Sequence, residues 1–443
     1  MAKAAQTSKL VTHRTVLAIA LPIMLSNVSE PLIGVVDTAI LGQLGDAYYI
    51  GAIAVGAIIF SFLFWSFGFL RMGTSGLTAQ AQGAEDDEEL RAVLGRALMI
   101  AGVCGAGLVI LSPLIATAAF WLMEGSDAVE THARVYFDIR IWSAPAALAN
   151  YVVLGWFIGM GRTGRAFVLQ LFLNVLNVIF DAVLVLGFDM GVEGVAIGTV
   201  LAQYIAVAAG GLLALRELSG RTGQWSWVAV AVREKIRRMV VVNTDIMLRS
   251  LCLIFCFAWF TAQGAKSGDT VLAANAVLFN LFLLVTYMLD GFATSAETLA
   301  GQAAGAGSLD RFRNAVRISS LWAVICTGLM GAGIWFGGGW GIDILTVNEA
   351  VRETARVYLV WAALAPVLGI ACFLFDGIYI GVTRTADMRN MMFVSMAVYL
   401  AAWWVLSGHY GNHGLWASLM VFFIARGMTL GARYPALVRA TFP

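Results

Sequence analysis

Twelve apolar stretches of about 20 residues or more set the terms on which this chain can fold. They run at 15–41, 48–82, 92–118, 132–160, 164–187, 192–216, 239–263, 271–304, 314–338, 350–382, 388–408 and 413–437. Twenty residues at about 1.5 Å each give a helix of roughly 30 Å, the thickness of a bilayer's hydrocarbon core. Backbone in lipid must satisfy its own hydrogen bonds, so each stretch is expected to be a transmembrane helix. Composition agrees: 60% of the 443 residues are hydrophobic and 12% are charged, where soluble chains carry about 25% charge. A soluble enzyme is thereby excluded. Net charge is +1 with no separate basic domain, so nucleic acid is not expected as a partner. The five cysteines all lie in apolar runs without metal-ligand spacing, which argues against a disulfide framework or a zinc site.

Lysine and arginine fix an orientation, because translocating them is disfavoured. Counting the termini and the even-to-odd loops, twenty of the 28 basic residues fall on one side and five on the other (Arg134, Arg140, Lys266, Arg352 and Arg356). Both termini are therefore expected in the cytoplasm. The long basic linker divides the chain into an N-lobe at 1–216, a linker at 217–238 and a C-lobe at 239–443, with six spans in each lobe. The lobes repeat each other. Ala52, Phe60, Gln80, Gly83 and Arg91 recur 222 residues later as Ala274, Phe282, Gln302, Gly305 and Arg313, and Gly155, Gly159 and Arg162 recur as Gly377, Gly381 and Arg384. Six spans is an even number, so both halves insert the same way up about an axis along the membrane normal. The fold class expected is an all-α membrane protein with twelve transmembrane helices in two pseudo-symmetric six-helix bundles flanking a central cleft. The paired glycines read as close helix packing. Pro22 and Pro31 interrupt the hydrogen-bond ladder of the first span, which makes it a candidate bending element.

Polar residues inside spans are costly, about 2.5–3.5 kcal/mol for a charge at mid-helix, so each needs a partner or a water-filled cavity. In the first half they lie on ordered faces. Asn27, Glu30 and Asp37 share one side of the first span; Gln170, Asn174, Asn177 and Asp181 recur at helical spacing on the fifth; Thr199 and Gln203 are one turn apart on the sixth. By depth, Asp37 and Asp181 both fall in the outer half of the bilayer. Two facing acids with no cation between them invite a shared proton or a sodium ion. The coupling residues expected are Asp37, Asp181, Asn177, Asn174 and Thr199, with Glu30 and Gln203 in the cleft. No other metal and no cofactor is expected.

The second half keeps the frame and drops this chemistry. At the same offset the fifth-span stripe becomes Met392, Met396, Tyr399 and Trp403, a wall suited to flat or flexible hydrophobic ligands or, on the plainer alternative, ordinary core. Charges sit elsewhere: Asp245 and Arg249 on the seventh span, Asp290 and Glu297 on the eighth, Asp376 on the tenth. By depth Arg249 falls between Asp290 and Glu297, so a buried network is expected that either couples transport or braces the bundle. No HExxH, GxSxG or Walker loop occurs, and the histidines lie at ends or in loops; the chain does not read as an enzyme.

Leu21-Pro22-Ile23, Val36 through Gly42, Gln80 through Ala84, Asp290 through Ala293 and Asp376-Gly377-Ile378 together resemble the multidrug and toxic compound extrusion (MATE) family. Leu70-Arg71-Met72-Gly73 and Ile246 through Ser250 look most like its DNA-damage-inducible DinF branch. The resemblance implies a monomeric, two-lobed exporter in the bacterial inner (plasma) membrane. It would alternate between outward-open and inward-open states and move drug-like small molecules against a proton gradient, or in some members sodium. Asp37 would be the first-span acid, with Asn177, Asp181 and Thr199 completing an N-lobe site walled by Asn150. Glu30 departs from the family pattern, which has an uncharged residue there. The competing transport reading is a lipid-linked oligosaccharide flippase of related architecture. It would need a strongly cationic cleft, whereas Arg71, Arg249 and Arg426 are the in-span cations.

Overall fold

The structure, a computed structural model, describes residues 10–41, 47–122 and 127–442, with the side chains of 30–41, 47, 48, 50, 127 and 128 outside that description. Among the described residues every regular element is helical. Ten stretches are long and apolar enough to cross a membrane. Adding α1 (His13–Leu41), and dividing α15 (Thr385–Thr441) at Gly411, where φ is 53° and ψ −128°, gives the twelve spans.

The spans are less regular than their hydropathy. The second breaks at a turn through Phe67 and Gly68, between α2 (Ala47–Ser66) and α3 (Phe69–Gly83). The third ends at Ile110, and α5 (Ser112–Leu122) takes up the rest of its apolar stretch beyond α4 (Asp87–Ile110). The fourth enters as α6 (Asp127–Arg140), tightens into a 3-10 turn at Ile141–Ser143 and continues as α7 (Ala144–Gly159), with proline at its start. There Pro145 lacks a donor that the helix terminus leaves unused anyway.

Caps set several helix starts. Asp86 accepts from the Glu89 N–H at 2.8 Å at the head of α4, whose first turn holds Asp87, Glu88 and Glu89 against the positive end of the helix dipole. Asn348 and Glu349 do the same for α14 (Glu349–Gly381).

The chain forms two compact units. One runs from Leu25 to Val240; the other comprises Val241 onward together with the chain up to Met24. The boundary therefore falls inside α1. In the first unit α7 packs on α3 and α4, and α8 (Thr163–Asp181) packs on α9 (Gly191–Ser219). The chain after α9, including the short α10 (Trp227–Val230), is tied to the head of α4. Arg91 donates to the carbonyls of Thr222 (2.6 Å) and Leu218 (2.7 Å), and Asp87 accepts from the Thr222 hydroxyl (2.7 Å).

In the second unit α12 (Asp269–Gly305) packs on α13 (Leu309–Leu345) and α14, and α14 packs on α15. The head of α1 joins this unit, its Val16 carbonyl accepting from the Ser295 hydroxyl at 3.4 Å.

The internal repeat holds at the level of single contacts. A Cβ on Gly155 would stand 2.3 Å from the Arg71 carbonyl oxygen, and one on Gly159 2.4 Å from that of Ser75. In the other unit, a Cβ on Gly377 would stand 2.2 Å from the carbonyl of Ala293 and one on Gly381 2.1 Å from that of Glu297. Arg71 and Ser75 precede Ala293 and Glu297 by the same 222 residues. The two units thus hold matching glycine-mediated helix crossings in which backbone meets backbone.

Candidate functional site

The site is built on α8, which is polar inside and apolar outside. Asn174 and Asp181 are buried, whereas Leu171, Phe172, Val175 and Ile179 on the opposite side are exposed. A helix so arranged offers its apolar side to lipid and obliges the polar side to find partners within the protein. It finds them. Gln170 Nε2 donates to Asn174 Oδ1 at 2.9 Å, and Asn174 Nδ2 donates to the Ser29 hydroxyl of α1 at 3.1 Å. One turn on, Asn177 Nδ2 donates to Thr199 Oγ1 on α9 at 3.1 Å and lies 3.5 Å from Asp181 Oδ1. Thr199 in turn donates to the Val195 carbonyl at 3.0 Å. Deeper in the unit, Asn150 of α7 donates to Gln203 through both the backbone carbonyl (3.0 Å) and Oε1 (2.8 Å).

Asp181 is the carboxylate of this stripe and is 1% exposed. It lies flat against α9, where a Cβ on Gly198 would come within 2.4 Å of its Oδ1. Immediately after it the helix widens into a π-helical turn, Ala182–Gly187. Such turns are rare, and they concentrate where a functional side chain must be set at an angle the regular helix does not give.

Asp37 and Glu30 lie on α1, and their side chains are outside the described residues. Asn27, half-buried on the same helix, is described. Ser29 of α1 is seen to reach the stripe. Sequence reading passed over it because a serine in a membrane helix ordinarily bonds back to its own helix, as Ser29 also does to the Ser26 carbonyl at 2.7 Å.

The second unit has a different character. Met392 (2% exposed) and Tyr399 (0%) lie within its hydrophobic core, and Met396 and Trp403 pack against that core, Trp403 edge-on to Trp259 at 5.0 Å. Two buried arginines converge on Asp376 of α14. Its Oδ2 accepts from Arg249, on α11 (Arg233–Ala265), and from Arg426 of α15, the latter at 2.5 Å; all three side chains are buried. Arg426 also lies over the rings of Phe422 (5.3 Å) and Phe373 (5.8 Å). Asp290, half-buried, and Glu297, 6% exposed, lie on α12 of the same unit. Arg249 pairs with Asp376, and Arg426 is a further member of this cluster that sequence depth did not assign to it. Nearer the start of α11, Asp245 is held by the Thr385 hydroxyl (2.9 Å) and Arg389 (2.5 Å).

Comparison with known proteins gives a consistent result. The sequence profile of the MatE family matches residues 22–183 and 246–403. The DNA damage-inducible protein F of Escherichia coli K12 is 41% identical over 423 residues, covering 94% of this chain and 90% of that protein. The multidrug export protein MepA of Staphylococcus saprophyticus is 21% identical and covers 91% of this chain and 89% of its own length. Among solved structures, a Vibrio cholerae MATE transporter in the bent form superposes with a TM-score of 0.88 at 19% identity, covering 97% of both chains. An outward-facing multidrug resistance MATE transporter superposes at 0.86 and 16% identity, covering 97% of this chain and 96% of its own.

Proposed function

The chain belongs to the MatE family, whose members are transporters and not enzymes, and from that premise we propose a cation-coupled antiporter that expels hydrophobic, often cationic, drug-like compounds. The coupling ion in this reading is the proton, and the membrane is the bacterial inner membrane, with both termini on the cytoplasmic side and the monomer as the working unit.

The observation that carries the reading is the hydrogen bond between Ser29 and Asn174. The first and fifth spans cross in the same sense. From that bond Asp37 is eight residues further along α1 and Asp181 seven further along α8, about 12 Å and 10.5 Å at the helical rise. In this reading the two acids come to nearly the same depth, and the burial of Asp181 among Asn177, Thr199 and Gly198 supports it. Two carboxylic acids brought to one level on neighbouring helices favour a shared proton.

In the cycle, a proton from outside neutralises the pair, α1 bends, the site loses affinity for its cargo, and the cargo leaves outward. Export by MepA, as its name states, supports the substrate class. The test is drug efflux from vesicles under an imposed pH gradient. Asp37→Asn should abolish it while the purified protein remains monodisperse, and undiminished transport would remove the mechanism. Efflux that follows an imposed sodium gradient and ignores the pH gradient would overturn the choice of ion.

A further inference from the structure

Where α7 turns into α8, a groove of about 480 Å³ opens between α8 and α9, lined by Gly161, Arg162, Gly164, Arg165, Val168 and Leu213. That volume lies within the range of sites that hold small ligands. Its walls are of two kinds. Val168 is 58% exposed, and Leu212 and Leu215 next to Leu213 are exposed as well, so the groove runs out onto the apolar side that faces acyl chains. Its rim is cationic. Glu217 is held by Arg165, by Arg162 at 3.5 Å and by Arg221 at 3.4 Å, and Arg221 also reaches Asp87 at 3.1 Å. Three guanidiniums against two carboxylates leave one positive charge in excess, and Arg162 and Arg165 are the exposed members.

We propose that this groove binds an anionic phospholipid, with the phosphate between Arg162 and Arg165 and an acyl chain along Val168 and Leu213. Basic pockets between membrane helices, at the level of the headgroups, recognise anionic lipids in this way, and a planar guanidinium matches a phosphate through two parallel hydrogen bonds.

Gly164 supplies the space: a Cβ there would meet nothing within 4 Å. The repeat provides an internal contrast. At the corresponding turn Gly164 becomes Ala386 and Arg165 becomes Asp387. Asp387 is neutralised by Arg433 at 2.9 Å, and Arg384, the partner of Arg162, bonds the Ala440 carbonyl at 3.0 Å. The second turn carries one excess guanidinium as well, but Arg384 is tied to a backbone carbonyl, and Ala386 sets a methyl group where Gly164 leaves the floor clear. The proposal rests on the chain's crossing a bilayer and is independent of which ion couples transport.

The experiment is lipid retention by the full-length protein in neutral detergent, read by native mass spectrometry during titration with phosphatidylglycerol or phosphatidylcholine. The wild type should retain phosphatidylglycerol in preference. Arg162→Gln with Arg165→Gln should weaken retention roughly 30-fold, about fivefold for each guanidinium lost at a headgroup surface. Gly164→Leu leaves the charges in place, fills the groove and favours the helix; it should abolish retention, and it decides the matter if the double variant does not fold. Arg384→Gln should change nothing. Equal retention of both lipids, wild-type retention by Gly164→Leu, or displacement of phosphatidylglycerol by equimolar inorganic phosphate would overturn the proposal. Because the readout is binding, these results stand apart from the outcome of Asp37→Asn in transport.

Discussion

Replacing Asp376 with asparagine should be among the most damaging single changes to the fold. The carboxylate is shared by two buried guanidiniums, so its loss strands Arg249 and Arg426 together in the second unit. Breaking a buried ion pair by removing one partner costs about 3–5 kcal/mol, and two stranded cations place this variant toward the upper end. That corresponds to roughly two to three and a half orders of magnitude in the ratio of folded to unfolded protein. The rings of Phe373 and Phe422 remain under Arg426 and offset about 0.5–2 kcal/mol of it.

The assay is the fraction of detergent-purified protein that stays monodisperse after heating, for Asp376→Asn, Arg426→Met and the double variant. Arg426→Met alone leaves a one-to-one pair between Arg249 and Asp376 and should cost little beyond packing. Added to Asp376→Asn, it should recover part of the loss, because one stranded charge has gone. A double variant less stable than Asp376→Asn alone, with the two losses adding, would show that the shared carboxylate does not hold the two arginines as described.

Three further outcomes follow from the geometry. Gly381→Leu sets a side chain 2.1 Å from the Glu297 carbonyl oxygen and should destabilise by about 1–3 kcal/mol or more, with Gly159→Leu doing the same in the first unit; heat-stability of either variant at the wild-type level would contradict the close crossing. Gly198→Val pushes on Asp181 Oδ1 and should lower drug efflux at least tenfold with far less effect on thermal stability, whereas normal efflux would separate Asp181 from function. Met392→Leu conserves volume in a buried position and should cost less than about 1.5 kcal/mol with substrate range unchanged; a narrowed range would put Met392 at the substrate.

The span count, the repeat and the polar face of α8 were legible because each rests on spacing, and spacing survives without coordinates. Gln170, Asn174, Asn177 and Asp181 could be assigned to one side from helical periodicity alone, and the offset of 222 marked the two glycine pairs as matched close-packing faces. Depth was a weaker guide. It grouped Arg249 with Asp290, Glu297 and Asp376, and of these contacts the one with Asp376 is seen; depth alone carries no information on rotation about the helix axes. Hydropathy likewise misses breaks that keep the chain apolar, as at Phe67 and Gly68, and it cannot see the π-helical turn after Asp181. Met392 and Tyr399 fit a ligand wall and a core equally well by residue type, and only their burial shows which neighbours they have.

The claim on which the transport account depends is that Asp37 and Asp181 exchange protons with solvent as cargo binds. Its most direct test is the pH change on adding a transported cationic drug to purified protein in weakly buffered detergent solution. The account predicts proton release from the wild type that is lost in both Asp37→Asn and Asp181→Asn while both variants stay folded. Drug binding with no proton released, or the same release from either variant, would contradict it.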